Sequence, residues 1–437
     1  MQEHRSSGTL GRLLKTSTKI EPHEFGTALL SYGFVFVLMA AYFMLRPVRD
    51  AMASDWSDVE VSKLWSMTFF FSLVAVTLYG AVISRVSFRW LVPGVYAFFA
   101  ASFFVFYFGS TYATNAVLVD KSFYVWLSVF SLFHVSVFWS FMSDLWSREQ
   151  APRLFGFIAM GASVGAIVGP LITALLVERV GAENLMLVSA TMLLIPIPII
   201  FTLARLKVSA LGNEDVSADL SAQQAIGRNP FAGFSIFLTS PYLIGIGIFI
   251  LLYVAIGSFV YFELKNLLAD FSREDRTEIW AYIDFAVNSL TIITAMFLTS
   301  RIATRFGMPT TLALIPALIV IGMLVIAMSP VVAVVAGLQV ARRAGNYAIT
   351  RPGREMLFTA VDRETRFKAK PVIDIVLYRG GDMLTAWAFT LLTTGLGLSL
   401  GAVAAVGAGI AALWAAVGVY LGRSYNRLAS DGAEDGK

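Results

Sequence analysis

Seven arginines stand where an apolar chain should not place charge: Arg46, Arg49, Arg342, Arg343, Arg351, Arg354 and Arg379 fall inside or at the edges of long hydrophobic runs. Two of these runs share a pattern, LRPVRDAM from Leu45 and TRPGREML from Thr350, each an Arg-Pro-x-Arg followed by an acid. No lysine substitutes for any of the seven. A guanidinium is a planar fork that pairs bidentately with phosphate or carboxylate, whereas an ammonium is a point charge. The chemistry on offer is recognition of an oxyanion, or pairing with carboxylates of the chain itself. Acids for the second option are at hand in Asp50, Asp144, Asp284, Glu355, Asp374 and Asp382.

The polar residues of one run are Gln339, Arg342, Arg343, Asn346, Tyr347, Thr350, Arg351, Arg354 and Glu355, in steps of three and four that put all of them on one face of a helix. Facing lipid, Arg342 and Arg343 alone would cost about 5–7 kcal/mol, at roughly 2.5–3.5 each near the bilayer centre. The stripe must line a cavity or a charge-paired interface. At ~1.5 Å per residue, a helix entering near Val331 reaches Arg342 after about 16 Å and Arg351 after about 30 Å. Arg342 and Arg343 are thus expected at the midplane facing a central cavity, with Arg46 and Arg49 nearer its outer end and Arg379 toward the inner side. Arg46, Arg49, Arg342, Arg343, Asn346, Tyr347 and Arg379 are the candidates for substrate binding. Arg351, Arg354 and Glu355, together with Asp144, Asp374 and Asp382, are candidates for gating or coupling, as are Asp284 and Asn288, one turn apart. Pro47 and Pro352 should kink their helices beside the arginines. His134 reads as a hydrogen-bonded interior histidine.

The elements that must position these residues are membrane-spanning helices. Hydrophobic residues make up 57% of the chain and charged residues 14%, against roughly a quarter charged in soluble domains. Many apolar segments reach the ~20 residues that a helix needs to cross a hydrocarbon core. Twelve spans are expected, at about 24–46, 62–84, 90–109, 122–146, 154–177, 184–204, 241–262, 278–300, 309–328, 331–359, 371–393 and 397–422. Of the 33 basic residues this topology leaves twenty on one side and six on the other, and the remaining seven are the arginines above. The richer side is cytoplasmic, which puts both termini there. The net charge of +4 then reflects orientation and gives no reason to expect nucleic acid. Zero cysteines exclude disulfides, thiolate metal sites and cysteine nucleophiles. No metal and no cofactor are expected. No GxxxxGK[ST] loop for nucleotide hydrolysis occurs, nor a His/Asp/Glu cluster on a loop, so the chain does not read as an enzyme.

The polar stretch 205–240 divides the spans into two sets of six. The sets carry related loops. YGAVISRVSFRW is answered by TSRIATRFGMPT, with Arg85 opposite Arg305 at an offset of 220; SREQAPR is answered by DRETRFK, with Arg148 and Glu149 opposite Arg363 and Glu364 at an offset of 215. The expected organisation is a tail over 1–23, a six-helix half over 24–204, a linker over 205–240, a second half over 241–422 and a tail over 423–437. This pseudo-repeated, all-α architecture resembles the major facilitator superfamily. Its hallmark loop is degraded here: Gly80 and Arg85 fit, Ser84 takes the place of an aspartate, and the second copy has Thr304, Arg305 and Gly307. GFIAMGASVGAIVGP in the fifth span resembles the superfamily's antiporter motif through Gly156, Gly165, Gly169 and Pro170, with Thr173 and Ala174 in place of its terminal glycines. The plainer account of Gly161, Gly165 and Gly169 is close helix packing.

A narrower resemblance rests on YFMLRPVRDAM, on VFWSFMSDLWSREQAPRLFGFIAMGASVGAIVGP and on RPGREMLFTAVDRETRFKAKPVIDIVLYRGGDM. These are similar to the bacterial branch of the ATP/ADP translocase family of nucleotide transporters. The resemblance implies exchange of nucleotides without hydrolysis, and places Arg46, Arg49, Arg351, Arg354, Lys368, Lys370, Asp374, Arg379 and Asp382 in a charged signature. The expected function is secondary active transport of an organic anion, a nucleotide or related phosphorylated metabolite, by alternating-access exchange. The expected setting is the bacterial inner membrane, multi-pass and monomeric, with the lipid bilayer and a small anionic substrate as the partners. The alternatives are proton-coupled export of amphiphilic compounds, with Asp284 or His134 as proton carrier, and a membrane enzyme acting on lipid-linked substrates.

Overall fold

The computed structural model describes residues 20–83, 88–147, 149–209, 211, 232–297, 299–361, 373 and 377–434. Helices begin where side chains satisfy the free N–H groups of the first turn. Ser57 and Glu60 cap each other's backbone N–H at 3.3 and 3.0 Å, and Ser147 and Gln150 do the same at 3.3 and 3.1 Å. The helices are α1 (Phe25–Met52), α2 (Asp58–Ile83), α3 (Phe88–Tyr112), α4 (Ala116–Leu145), α5 (Ala151–Val180), α6 (Ala182–Met192) and α7 (Pro196–Ser209). After the linker come α8 (Ala232–Thr239), α9 (Pro241–Leu267), α10 (Arg273–Phe297), α11 (Thr299–Met328) and α12 (Val332–Gly345), then α13 (Arg351–Leu357), α14 (Tyr378–Thr390) and α15 (Leu400–Glu434). No strand occurs among the described residues.

Among the described residues nine helical stretches are long and apolar enough to cross a membrane: 25–55, 58–79, 90–112, 116–145, 153–180, 182–207, 241–267, 304–328 and 400–428. Apolar side chains such as Phe70, Phe71, Val105, Leu175 and Ile321 stand exposed on them, the surface a hydrocarbon solvent covers. The described residues of the other three expected spans are helical, and these spans are polar or interrupted. α10 carries Asp284 and Asn288, α12 gives way to a π-helical turn over Asn346–Thr350, and α14 to another over Leu391–Gly395. They bear Asp284, Arg342, Arg343, Arg379 and Asp382.

The chain forms two compact units. The first comprises Met1–Pro47 and Ser72–Ala225, the second Val48–Phe71 and Ile226–Lys437. In the first, α1 lies directly on α5. A Cβ on Gly161 or Gly169 would stand 2.5 Å from the carbonyl oxygen of Tyr32 or Ala40, and one on Gly165 closer still to that of Phe36. Thr173 continues the row, its hydroxyl donating to Met44 O at 2.9 Å, and Ser189 donates to Ala41 O at 2.9 Å. The glycines of the motif-like segment therefore serve backbone contact at every fourth residue. In the second unit α11 packs along α15, and α9 lies among α12, α14 and α15. The α1–α2 turn, with its short 3₁₀ segment Ala53–Asp55, packs on α9.

Candidate functional site

Arg342 and Arg343 are adjacent on α12, so their side chains leave the helix about 100° apart. Arg342 turns to α9. Its guanidinium carbon lies 5.6 Å from the centre of the Tyr253 ring, and its Nε and Nη2 donate to Gln339 Oε1 at 3.2 and 2.8 Å. Gly257, one turn beyond Tyr253, makes the berth: a Cβ there would stand 3.1 Å from Arg342 Nη1. A side chain at 257 would occupy the space the guanidinium uses.

Three arginines from three helices act on one carboxylate. Arg379, Arg342 and Arg49, of α14, α12 and α1, all lie within electrostatic range of Asp382. Arg379 Nη1 and Asp382 Oδ2 are 3.7 Å apart at 26% and 28% side-chain exposure, so this part of the cluster meets solvent. Arg49 holds Asp50 through Nε and Nη2 at 2.9 and 2.5 Å, and Tyr261 donates to the same carboxylate at 3.4 Å. Tyr253 and Tyr378 stand with ring centres 6.2 Å apart, and Tyr378 is within electrostatic reach of Tyr347 and Asp382. Three guanidinium groups thus face two aspartates, with tyrosines around them. The setting is partly desolvated, where charge-assisted hydrogen bonds are strong.

Arg343 goes the other way. Its Nη1 lies 2.5 Å from Asp284 Oδ1 on α10, at 3% and 1% side-chain exposure, and Asn288 Nδ2 donates to the backbone oxygen of Asp284 at 2.8 Å. The polar residues of this run do not share one face, for two physical reasons. Arg342 and Arg343 already diverge on α12, and the π turn shifts the register of everything after it. Asn346 and Thr350 are buried and Tyr347 is half-buried, whereas Arg351 is exposed; Arg354 pairs with Glu355 at 2.7 Å. The kink expected at Pro352 takes the form of this π turn, in which Arg351 N donates to Asn346 O.

Arg46 lies in the first unit, its guanidinium 5.7 Å from the Phe43 ring centre. Asp144 pairs with Lys207 at 2.9 Å and lines a cavity of about 270 Å³ with Phe141, Leu145, Phe201 and Arg205. Asp374, Lys368 and Lys370 lie outside the described residues. His134 is an interior histidine, buried between Tyr42 and Phe130 with the backbone of Phe130 and Ser131 beside its ring. Sequence reasoning missed Tyr253 and Gly257, which an apolar span hides, and the charges at the end of α9. There Lys265 Nζ donates to Asp58 Oδ1 at 2.7 Å and Trp56 O at 2.8 Å, and Arg273 and Arg276 pair with Asp55 at 2.8 and 2.5 Å. The signal was the FELKN segment, which puts Glu263 and Lys265 inside a helix that runs five residues past the expected span end at 262.

The family model of the Major Facilitator Superfamily matches residues 29–348. Solved structures are similar over nearly the whole chain. A bacterial homolog to the human lysosomal transporter Spinster, inward-facing and unoccupied, aligns with a TM-score of 0.57 at 12% identity over 94% of this chain and 99% of that one. The nucleoside transporter NupG aligns with a TM-score of 0.63 at 13% identity over 92% and 99%. A mutant form of the peptide transporter POT aligns with a TM-score of 0.62 at 12% identity over 91% and 95%. At these identities the likeness is one of fold. No curated protein sequence matches the chain.

Proposed function

The chain belongs to the Major Facilitator Superfamily and is a multi-pass membrane transporter; from that premise we propose that it carries an organic anion, a nucleotide or related phosphorylated metabolite, by exchange between alternating-access states. The observation that carries this reading is the gathering of Arg49, Arg342 and Arg379 about Asp382, beside Tyr253, Tyr347 and Tyr378. Forked donors suit phosphate oxygens, and the tyrosine rings give an organic moiety a surface to lie on. Arg343 with Asp284 is read as a paired support for α12 against α10 that can also gate, and Arg354 with Glu355 as a gate pair. The sequence resemblance to the bacterial branch of the ATP/ADP translocase family favours a nucleotide among the phosphorylated candidates. The proposed setting is the bacterial inner membrane, with both termini cytoplasmic and a monomer of two six-helix halves, 24–204 and 241–422, joined by the linker 205–240.

The test is a thermal-shift comparison of purified protein with nucleotides, sugar phosphates, organic acids and apolar cations. Stabilisation by phosphate-bearing ligands, following RT ln(1 + [L]/Kd), supports the reading. Stabilisation by apolar cations and by no anion sinks it in favour of export of amphiphilic compounds.

A further inference from the structure

Glu263, on α9, is fully buried in the second unit, with 0% exposure. Neither of its oxygens has a hydrogen-bond partner among the described residues. The contrast with Asp58, which acts on it electrostatically from α2, is sharp. Asp58 is fully engaged: it accepts from Lys265 Nζ at 2.7 Å, from Thr393 Oγ1 at 2.8 Å and from Asn266 Nδ2 at 3.4 Å. Lys265 is two residues from Glu263, so on a helix the two do not face each other, and its charge is spent on Asp58 and Trp56 O.

Among the described residues only Asp58 acts on Glu263 electrostatically, and Lys63, the basic residue of α2, is exposed. From α2 come Asp58 and Glu60, both acidic and both acting on this group or on Lys265. Arg273 and Arg276 of α10 are paired with Asp55. α14 brings the hydroxyls of Thr390 and Thr393 to Ser62 and Asp58, while α15 over 400–409 and α12 over 332–341 carry no ionisable side chain. Two carboxylates and one ammonium would leave an uncompensated negative charge buried in apolar surroundings, which a carboxyl avoids by holding a proton.

We propose that Glu263 is a proton-binding site coupled to the seating of the α1–α2 turn on α9: it carries a proton while Lys265 and Asp58 are joined in the buried state, and releases it when the turn lifts away and water enters. The balance is one proton, Glu263–COOH giving Glu263–COO⁻ and H⁺ on opening, with no other bond changed. The seated state therefore gains at low pH and loses as pH rises. For one linked proton the seated-to-open ratio changes by at most about tenfold per pH unit. The inference goes beyond the substrate reading and holds whatever the cargo is.

The absence of cysteine makes a clean reporter possible. Ser54 is buried in the 3₁₀ segment and its hydroxyl has no hydrogen-bond partner among the described residues, so Ser54→Cys introduces one thiol without removing a bond. Maleimide labelling of this variant in proteoliposomes, divided at each pH by the rate for the same variant unfolded in denaturant so that thiol ionisation cancels, should quicken as pH rises, by up to about tenfold per unit. Adding Glu263→Gln, which imitates the protonated carboxyl, should hold this normalised rate at the low-pH value across the range. A flat normalised rate in Ser54→Cys, or the same normalised pH dependence with Glu263→Gln, overturns the proposal. Should Glu263→Gln not fold, infrared spectra of the unaltered protein decide: a protonated-carboxyl band at neutral pH that moves when glutamate is ¹³C-labelled supports it, and no such band overturns it.

Discussion

Exchanging Asp284 for leucine takes the countercharge from a guanidinium that is 3% exposed and leaves Arg343 charged and unpaired beside α10. Removing one partner of a buried pair costs about 3–5 kcal/mol, because the survivor keeps its desolvation penalty and loses the attraction that offset it. Arg343→Met should cost a similar amount for the converse reason, with the Asp284 carboxylate stranded. The pair lies at 2.5 Å with both groups almost wholly out of water, so solvent screening does not soften either loss. The double variant removes both charges and should recover most of the stability, which gives a coupling far above the ~0.5 kcal/mol within which independent sites add. The assay is reversible unfolding in detergent micelles, comparing midpoints for the unaltered protein, each single variant and the double variant. If the single losses simply add in the double variant, Arg343 and Asp284 are not a pair and the division of α12 between two neighbours is wrong. A double variant that folds but no longer exchanges substrate assigns the pair a part in coupling or gating as well.

Three further outcomes follow from named contacts. Gly257→Val should push the Arg342 guanidinium from its berth 3.1 Å away and weaken anion-induced thermal stabilisation, with Gly257→Ala affected less; equal stabilisation in all three proteins would remove Arg342 from the binding site. Gly165→Ala should lower stability by about 1–3 kcal/mol, since its Cβ would overlap the Phe36 carbonyl, and a neutral effect in detergent unfolding would deny the α1–α5 contact. The stabilisation given by a phosphate-bearing ligand should shrink between ~0.1 and ~1 M salt, where the screening length falls from ~10 to ~3 Å, and salt independence would argue against an ionic site.

Much of this arrangement is legible in the sequence, because a membrane fold is written in apolar run length. Nine of the expected spans fall on helices long and apolar enough to cross a membrane for that reason, and the arginines stand out because lipid tolerates so few charges. Arg49, Arg342, Arg379 and Asp382 are all marked by type alone, and they belong to one cluster. The register is harder to read. A period of three and four assumes an uninterrupted helix, and the π turn at Asn346–Thr350 breaks that assumption, sending Arg351 to the surface. Arg343 reads as a companion of Arg342 because neighbours in sequence look like neighbours in space, yet each residue turns the helix by about 100°. Glu263, Lys265 and Asp58 escape notice because the ends of spans read as borders, where charge is cheap. Their burial comes from tertiary packing of the α1–α2 turn on α9, which no local pattern records.

The central claim is that an oxyanion is held by the arginine cluster and moved across the membrane, and exchange in proteoliposomes tests it most directly. Vesicles loaded with an unlabelled nucleotide and offered the labelled one should accumulate label with the unaltered protein and lose that uptake with Arg342→Gln. Arg342→Lys should be impaired almost as much, because it keeps the charge and loses the fork. Uptake by Arg342→Gln equal to that of the unaltered protein, in variants shown to be folded by their unfolding midpoints, would contradict the account.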